Sequence, residues 1–417
     1  MLSRHLHLYA ALAAAALLGA APAEVPLPLT VDGDPSARVM WTRAFASPAD
    51  DWINDVVPIS GGRYLAVGFL NRDGMASDWR ALAVTLREDG AILSSREYGA
   101  GGGVDAFWSA QEAADGGLVF AGFTTRIGNG DINGYTLLTD AEGIVLRENG
   151  LGGGGYDRFT DLAPAGDGSV FLGHSQLPDE EIMRRIFIVK TDRNTIPVWE
   201  RIIDGPDSLA GLYIEPAGDG GFVIAGGLGR GEDSDVLVIK VDPDGRELWR
   251  RTIGTPENQD VNHGLVVLPG GNIVVVAYSQ SWNAQGNDIL AATLSPSGEI
   301  LRREMLGGAG DDRPTLAKAD GGGRVWIVGS TTSAGAGGWD LILARLSSAG
   351  SFEAGALTLG GADDDNGTAV HALSDGSILV AGYSNAPGHG GQDAFVARLS
   401  APSFDRPHPI LLRRVIR

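Results

Sequence analysis

The sequence predicts an all-β fold, a seven-bladed β-propeller whose N-terminal strand closes the last blade. Three observations carry that expectation: a repeat of near-constant length, four short strands within each copy, and the absence of any long helical period of apolar residues. The repeat is found by aligning the turn that precedes one apolar strand in each copy. These turns begin at Gly61, Asp115, Asp167, Asp219, Gly270, Gly322 and Asp375, so successive copies lie 51 to 54 residues apart.

The fourth copy shows the internal order best. It runs Leu212 to Pro216, the turn Asp219-Gly220, Phe222 to Gly226, a polar Gly-rich loop, Val236 to Val241, the turn Asp242-Pro243-Asp244-Gly245, then Glu247 to Ile253. Asp-Gly turns supply the positive φ that tight hairpins need, and β-branched and aromatic residues favour the strands between them. Four strands in up-and-down order form one twisted sheet, the unit of a propeller. In the first copy the opening strand is expected near Val56 to Ser60. The seventh copy lacks a clear fourth strand, and Val39 to Phe45 is the candidate to supply it. Its Trp41-Thr42-Arg43 matches the Trp-x-Arg of Trp199-Glu200-Arg201 and Trp249-Arg250-Arg251. Such a strand would tie the two ends of the chain into one sheet and leave no open edge at the seam.

The segments outside the repeat are read separately. Residues 1–23 carry Arg4, an Ala/Leu run and Ala21-Pro22-Ala23, the order of a secretory signal peptide; an uncleaved anchor is the competing reading. The apolar run is shorter than the roughly 20 residues a membrane span needs. The expected location is therefore periplasmic or secreted. The propeller is expected over residues 39–400. Residues 401–417 are rich in Pro and end in Arg413, Arg414 and Arg417, and read as a tail or an extra edge strand.

Composition narrows the functional classes. There is no cysteine, which excludes disulfides, thiolate metal sites and cysteine nucleophiles. Without residues 1–23 the chain has 31 Lys and Arg against 52 Asp and Glu, a net charge of −21, which disfavours nucleic acid and anionic membranes as partners. The 62 glycines show no Gly-X-Y period, so they mark turns. Strings such as Gly99 to Gly103 and Gly152 to Gly155 lack the helix and lysine of a phosphate-binding loop.

Leu359-Gly360-Gly361-Ala362-Asp363-Asp364-Asp365, Asp375 to Tyr383 and Gln392 to Leu399 resemble the SBBP-type bacterial β-propeller repeats. The resemblance extends over nearly all of residues 39–400 and implies a propeller in an exported protein, with no particular activity attached. The third copy departs from the pattern. Arg185 stands where Asp is expected, and Thr195 replaces the glycine of the last turn.

An Asp recurs ten residues before the aligned turn in six copies, at Asp51, Asp105, Asp157, Asp260, Asp312 and Asp365; Leu209 takes that place in the fourth copy. A second set, Asp235, Asp288, Asp340 and Asp393, opens the third strand. Both sets are expected on one rim. One Asp per copy is what turn capping requires, each carboxylate accepting backbone N–H groups. The denser groups, Asp311 with Asp312 and Asp363, Asp364 with Asp365, are the candidate metal ligands, and Ca²⁺ is the cation they would hold. His174, His263, His371, His389 and His408 lack ligand spacing.

Trp52, Trp108, Trp282 and Trp339 are expected in the same rim loops, where an indole can stack on a sugar or anchor a protein. These features point to an exported binding module that recognises a protein or glycan at the cell envelope. The alternative is a carbohydrate-active enzyme, a glycoside hydrolase or lyase, which needs paired carboxylates and a break in the repeat symmetry. The marked asymmetry lies in the third copy, at Asp179, Glu180, Glu181, Arg184 and Arg185.

Overall fold

In the computed structural model the described residues are 29–404, except 35, 48, 73–77, 100–101, 129–131, 177–182, 231–232, 256, 283 and 387–390, together with the backbone of 412–416. The expected signal peptide, Asp179, Glu180, Glu181, His389 and His408 lie outside them. The described residues form strands and no helix. Among them no helix is long and apolar enough to cross a membrane.

The strands pair into consecutive four-stranded antiparallel units, from Asp51 to Tyr98, Gly103 to Leu151, Tyr156 to Ile203, Leu209 to Ile253, Asp260 to Gly307, and Asp312 to Gly360. Short turns connect successive strands within each unit, so neighbours in sequence are neighbours in the sheet. The first two units also touch through a short parallel pairing, Asp78 with Gly103 and Trp79 with Val104. A last unit has three strands from Asp365 to Leu399, and its fourth position is taken by Val39–Phe45, which runs antiparallel to Asp393–Leu399. Two edges carry an additional strand: Thr30–Asp32 against Phe352–Gly360, and Leu412–Ile416 against Ile300–Gly307.

Burial follows from this stacking. The second and third strands of a unit have neighbours on both faces, so Leu118–Thr124 and Asp288–Leu294 are buried at every residue. The outermost strand is half-exposed, as in Glu247–Ile253. Apolar clusters bridge adjacent units: Ile203, Leu209 and Leu237 join the third to the fourth, and Phe45, Ile53 and Phe395 join the last to the first. Each unit's first strand packs against the first strand of the next, and Asp365–Ala372 packs against Asp51–Ile59.

All seven of these first strands are interrupted at the same place. The register shifts at Ile53/Asp55, Phe107/Ser109, Phe159/Asp161, Gly211/Tyr213, Asn262/Gly264, Pro314/Leu316 and Gly367/Ala369. Each shift is a β-bulge that leaves one extra residue unpaired and re-aims its side chain. The partner strand approaches so closely that glycine faces the bulge in six units. A Cβ on Gly173 would sit 1.8 Å from the Arg158 carbonyl, and one on Gly68 would sit 1.9 Å from that of Trp52.

Thr195 keeps the turn shape of the glycine it replaces. It takes a φ of 58°, and its N–H bonds the Asp192 carbonyl at 3.0 Å, as Gly245 does with Asp242. The neighbouring outer strand explains the tolerance. Trp199 packs flat over Gly245, where a Cβ would lie 2.7 Å from the indole, whereas Thr195 faces Asn149, whose Nδ2 donates to its carbonyl and hydroxyl.

Candidate functional site

The seven bulged residues are Asn54, Trp108, Thr160, Leu212, His263, Thr315 and Thr368, and all of them line one cavity of about 300 Å³. The cavity therefore lies where the first strands of all seven units converge. Four bulged side chains stitch neighbouring strands together. Asn54 Nδ2 donates to the Phe107 carbonyl at 2.7 Å, and Thr160 Oγ1 to that of Gly211 at 2.9 Å. Thr315 donates to Gly367, and Thr368 to Ile53, so the last stitch joins the final unit to the first. Trp108, Leu212 and His263 make no such bond, and that half of the wall is left to ring faces and aliphatic surface.

Trp52 and Trp108 stand in the strands Asp51–Ile59 and Gly103–Glu112, not in rim loops as expected, and both line the cavity. Trp52 stacks on Tyr383 with ring centres 4.8 Å apart and planes at 10°, and its Nε1 donates to Gln392 Oε1 at 2.7 Å. Arg158 lies over the Trp108 ring at 5.7 Å. Trp282 and Trp339 lie away from the cavity lining. Arg303 covers one indole and Arg313 the other, at 5.1 Å and 5.2 Å.

The floor is ionic. Asp55, Asp161 and Lys318 line the cavity, and Glu215 adds its charge beside Lys318. Burial alone would lower the Lys318 pKa, but Asp55, Asp161 and Glu215 outweigh it and hold the ammonium above its usual range. The two aspartates clamp strands. Asp55 Oδ1 accepts from its neighbour Val56 N at 2.9 Å and Oδ2 from Ser109 Oγ at 3.2 Å; Asp161 Oδ1 accepts from Leu162 N at 2.9 Å and Oδ2 from Ile214 N at 3.0 Å. Burial raises both carboxyls despite these bonds and Lys318. Glu215 is pushed up to about 7, also by burial, with Lys318 opposing and Asp161 adding to the rise.

Tyr213 spans this floor, its hydroxyl donating to the Thr315 carbonyl at 2.7 Å two units away. The fifth unit has Gly264 at the corresponding position, where a Cβ would lie 2.7 Å from that of Ala317 in the sixth. His263 stacks on Tyr278 with centres 5.4 Å apart and is driven down to about 4 by burial and by Arg313, so it is neutral at pH 7. A second hollow of about 470 Å³, between the first and last units, is lined by Tyr64, His371 and Arg398. There Arg398 is already bound to Asp375 Oδ2 at 2.6 Å and to Ser377 Oγ at 3.0 Å.

The repeated rim carboxylates face inward. Asp51, Asp105, Asp157, Asp260, Asp312 and Asp365 are at most 2% exposed. Gly153, Gly308 and Gly361 donate N–H to the Asp four residues later, at 2.8, 2.8 and 2.7 Å. The second set meets the first across a glycine: a Cβ on Gly307 would fall 1.9 Å from Asp288 Oδ1 and 3.0 Å from Asp312 Oδ2, and Gly360 is similarly placed between Asp340 and Asp365. Burial raises Asp105, Asp260, Asp312, Asp340 and Asp365, and Asp51, with Asp393 adding to the effect, is pushed up to about 7.

Of the candidate metal ligands, Asp312 also accepts from Thr331 Oγ1 and Ser333 Oγ. Asp311 accepts from Asn287 N and Nδ2 at 2.9 Å and from Arg313, and Asp364 from Trp339 N at 2.9 Å. Among the described residues no three His, Cys, Asp or Glu side chains converge as a metal site would require. In the third unit Arg185 pairs with Asp204 at 3.3 Å.

The ionic floor was missed by reading the repeat as a consensus. Four residues before each aligned turn, the copies carry Val57, Gln111, Ala163, Glu215, Val266, Lys318 and His371. Three ionisable side chains of differing character in one column of a buried strand mark the broken symmetry, two of them far from the third copy.

No protein-family model matches the sequence, and no curated protein does. The chain is similar to the polysaccharide lyase Uly1, with TM-score 0.53 and 10% identity over 85% of this chain and 90% of that one. It is also similar to the gluconolactonase XC5397 from Xanthomonas campestris, with TM-score 0.44 and 13% identity over 92% and 99%, and to Sqt1 from Chaetomium thermophilum, with TM-score 0.47 and 13% identity over 92% and 90%. At 10% identity the likeness to Uly1 is one of fold alone, and with its successive four-stranded antiparallel sheets the chain is an all-β protein of propeller type.

Proposed function

We propose that the chain is an exported seven-bladed β-propeller of the SBBP repeat type, each four-stranded unit being one blade, and that its axial cavity binds a glycan of the cell envelope. The observation that carries the ligand reading is the cavity wall: Trp52 stacked on Tyr383, and Trp108 beside Arg158, around a polar floor at the meeting point of all seven first strands. Its volume of about 300 Å³ is that of a small-ligand pocket, and flat aromatic faces beside a few fixed polar groups suit a sugar ring. The ring of first strands, closed by the Thr368 bond to Ile53, supports the seven-bladed reading and gives the site a rigid frame. Residues 1–23 would direct export, and the mature chain would begin at Glu24 in the periplasm or outside the cell.

The test is a glycan array probed with residues 24–417, wild type and Trp108→Ala. Binding to a defined set of glycans that Trp108→Ala loses while keeping its thermal midpoint within a few degrees supports the site. A silent array, or undiminished binding by a folded variant, removes it.

A carbohydrate-active enzyme is the second reading, and one observation favours it. Glu215, with its carboxyl raised to about 7, stands beside Asp161 and can hold a proton near neutrality, as a general acid must. Turnover of any polysaccharide in a broad panel, abolished by Glu215→Gln, would establish this reading; inactivity across the panel would leave binding alone.

A further inference from the structure

The cavity wall is unevenly supplied with hydrogen-bond partners. Trp108 Nε1 and Arg158 Nε are buried and have no partner. Indole and guanidinium N–H groups only donate. The two groups are neighbours, with the Arg158 guanidinium 5.7 Å from the centre of the Trp108 ring. Arg158 has a side-chain hydrogen bond with Tyr156 and faces the like charge of Arg184, and among the described residues it forms no ion pair. His174 lies directly across the strand register from Arg158, is fully buried, and has both ring nitrogens unpaired. The carboxylates of the same cavity are in the opposite condition, since Asp55 and Asp161 already accept from backbone and hydroxyl donors.

A buried donor without an acceptor is costly, and a ligand that brings the acceptor recovers that cost on binding. A neutral sugar hydroxyl could satisfy one such donor, but it would leave the half-buried guanidinium of Arg158 without a counter-ion beside Arg184. A carboxylate answers both needs, because it accepts only and matches the guanidinium fork. We propose that the ligand of the axial cavity is an acidic sugar, whose carboxylate accepts from Arg158 and from Trp108 Nε1 while its ring lies against the Trp52–Tyr383 stack. This proposal rests on the glycan reading of the cavity and specifies its chemical class.

The experiment is isothermal titration of residues 24–417 with uronic acid oligomers, namely oligogalacturonate, oligoglucuronate and oligomannuronate, each beside its neutral methyl ester. At least one acid should bind ten times or more tightly than its ester, and added salt should narrow the gap. Arg158→Gln should erase the preference and bring acid and ester to similar affinity. Trp108→Phe, which keeps a ring and removes the N–H, should weaken the acid several-fold more than the ester. Thermal midpoints identify variants that have not folded, and either variant alone suffices. Equal binding of acid and ester, a preference that survives in both folded variants, or binding of neutral glycans only on the array would overturn the acidic-sugar proposal and leave the glycan site standing. Absence of any glycan binding would overturn both.

Discussion

Replacing Glu215 by Gln tests the ionic floor of the cavity through stability alone. The carboxyl is raised from 4.5 to about 7 in the folded chain, chiefly by burial. Between those values the folded state holds a proton that the unfolded state has released, so wild-type stability falls as pH rises through the window. At 1.36 kcal/mol per pH unit the loss is about 3 kcal/mol once pH exceeds 7, and solvent at the partly exposed side chain trims it. Gln has nearly the same shape and no charge to desolvate. Glu215→Gln should therefore match wild type at pH 4 and exceed it by about 2–3 kcal/mol at pH 8. With an unfolding entropy of about 0.9 kcal/mol/K for a chain of this length, that is an increase in Tm of roughly 2–4 °C. Paired thermal melts at pH 4 and pH 8 measure it. A variant less stable than wild type at pH 8, or a difference independent of pH, would show that Lys318 needs the Glu215 carboxylate more than burial opposes it.

The closure of the ring is tested at its last stitch. Thr368→Val leaves the buried Ile53 carbonyl without its Thr donor and should cost about 1–3 kcal/mol in urea unfolding, as should Thr160→Val within the ring; an effect from Thr160→Val alone would deny that the last and first units are held as the others are. Gly307→Ala places a methyl against Asp288 and should lower the thermal midpoint by a few degrees, whereas Gly270→Ala, with open space at its Cβ, should change little; similar midpoints would refute the close approach at the seam. Millimolar Ca²⁺ against EDTA should leave the midpoint unchanged if Asp312 and Asp365 cap turns, and a clear rise would make them a cation site instead.

The architecture was legible because turn chemistry repeats. Asp-Gly and Gly-Gly pairs recur at a period that packing cannot disguise, and Trp41-Thr42-Arg43 announced the pairing of Val39–Phe45 with Asp393–Leu399 that the structure contains. The opening strands begin earlier than their apolar residues suggest: the first starts at Asp51, because the capping carboxylate is itself the first strand residue. The cavity was not legible, for a related reason. A bulge is set by register and, in six units, by the glycine opposite it, so the position accepts residues as different as Asn54, Trp108, Leu212 and Thr315. The tryptophans were found and misplaced. Trp52 directly follows the capping Asp51 and Trp108 occupies a bulge, and both line the cavity, while Trp282 and Trp339 stay outside it under arginines. The acidic rim was read from the same regularity, yet a carboxylate copied once per unit serves the seam between units and is buried there.

A crystal structure of residues 24–417 with the tightest-binding glycan from the array decides whether the ligand sits in the cavity where the seven first strands meet. A sugar ring is expected between the Trp52–Tyr383 stack and Trp108, within hydrogen-bond reach of Arg158. A ligand lodged instead against Trp282 or Trp339, with the axial cavity holding only water, would contradict it.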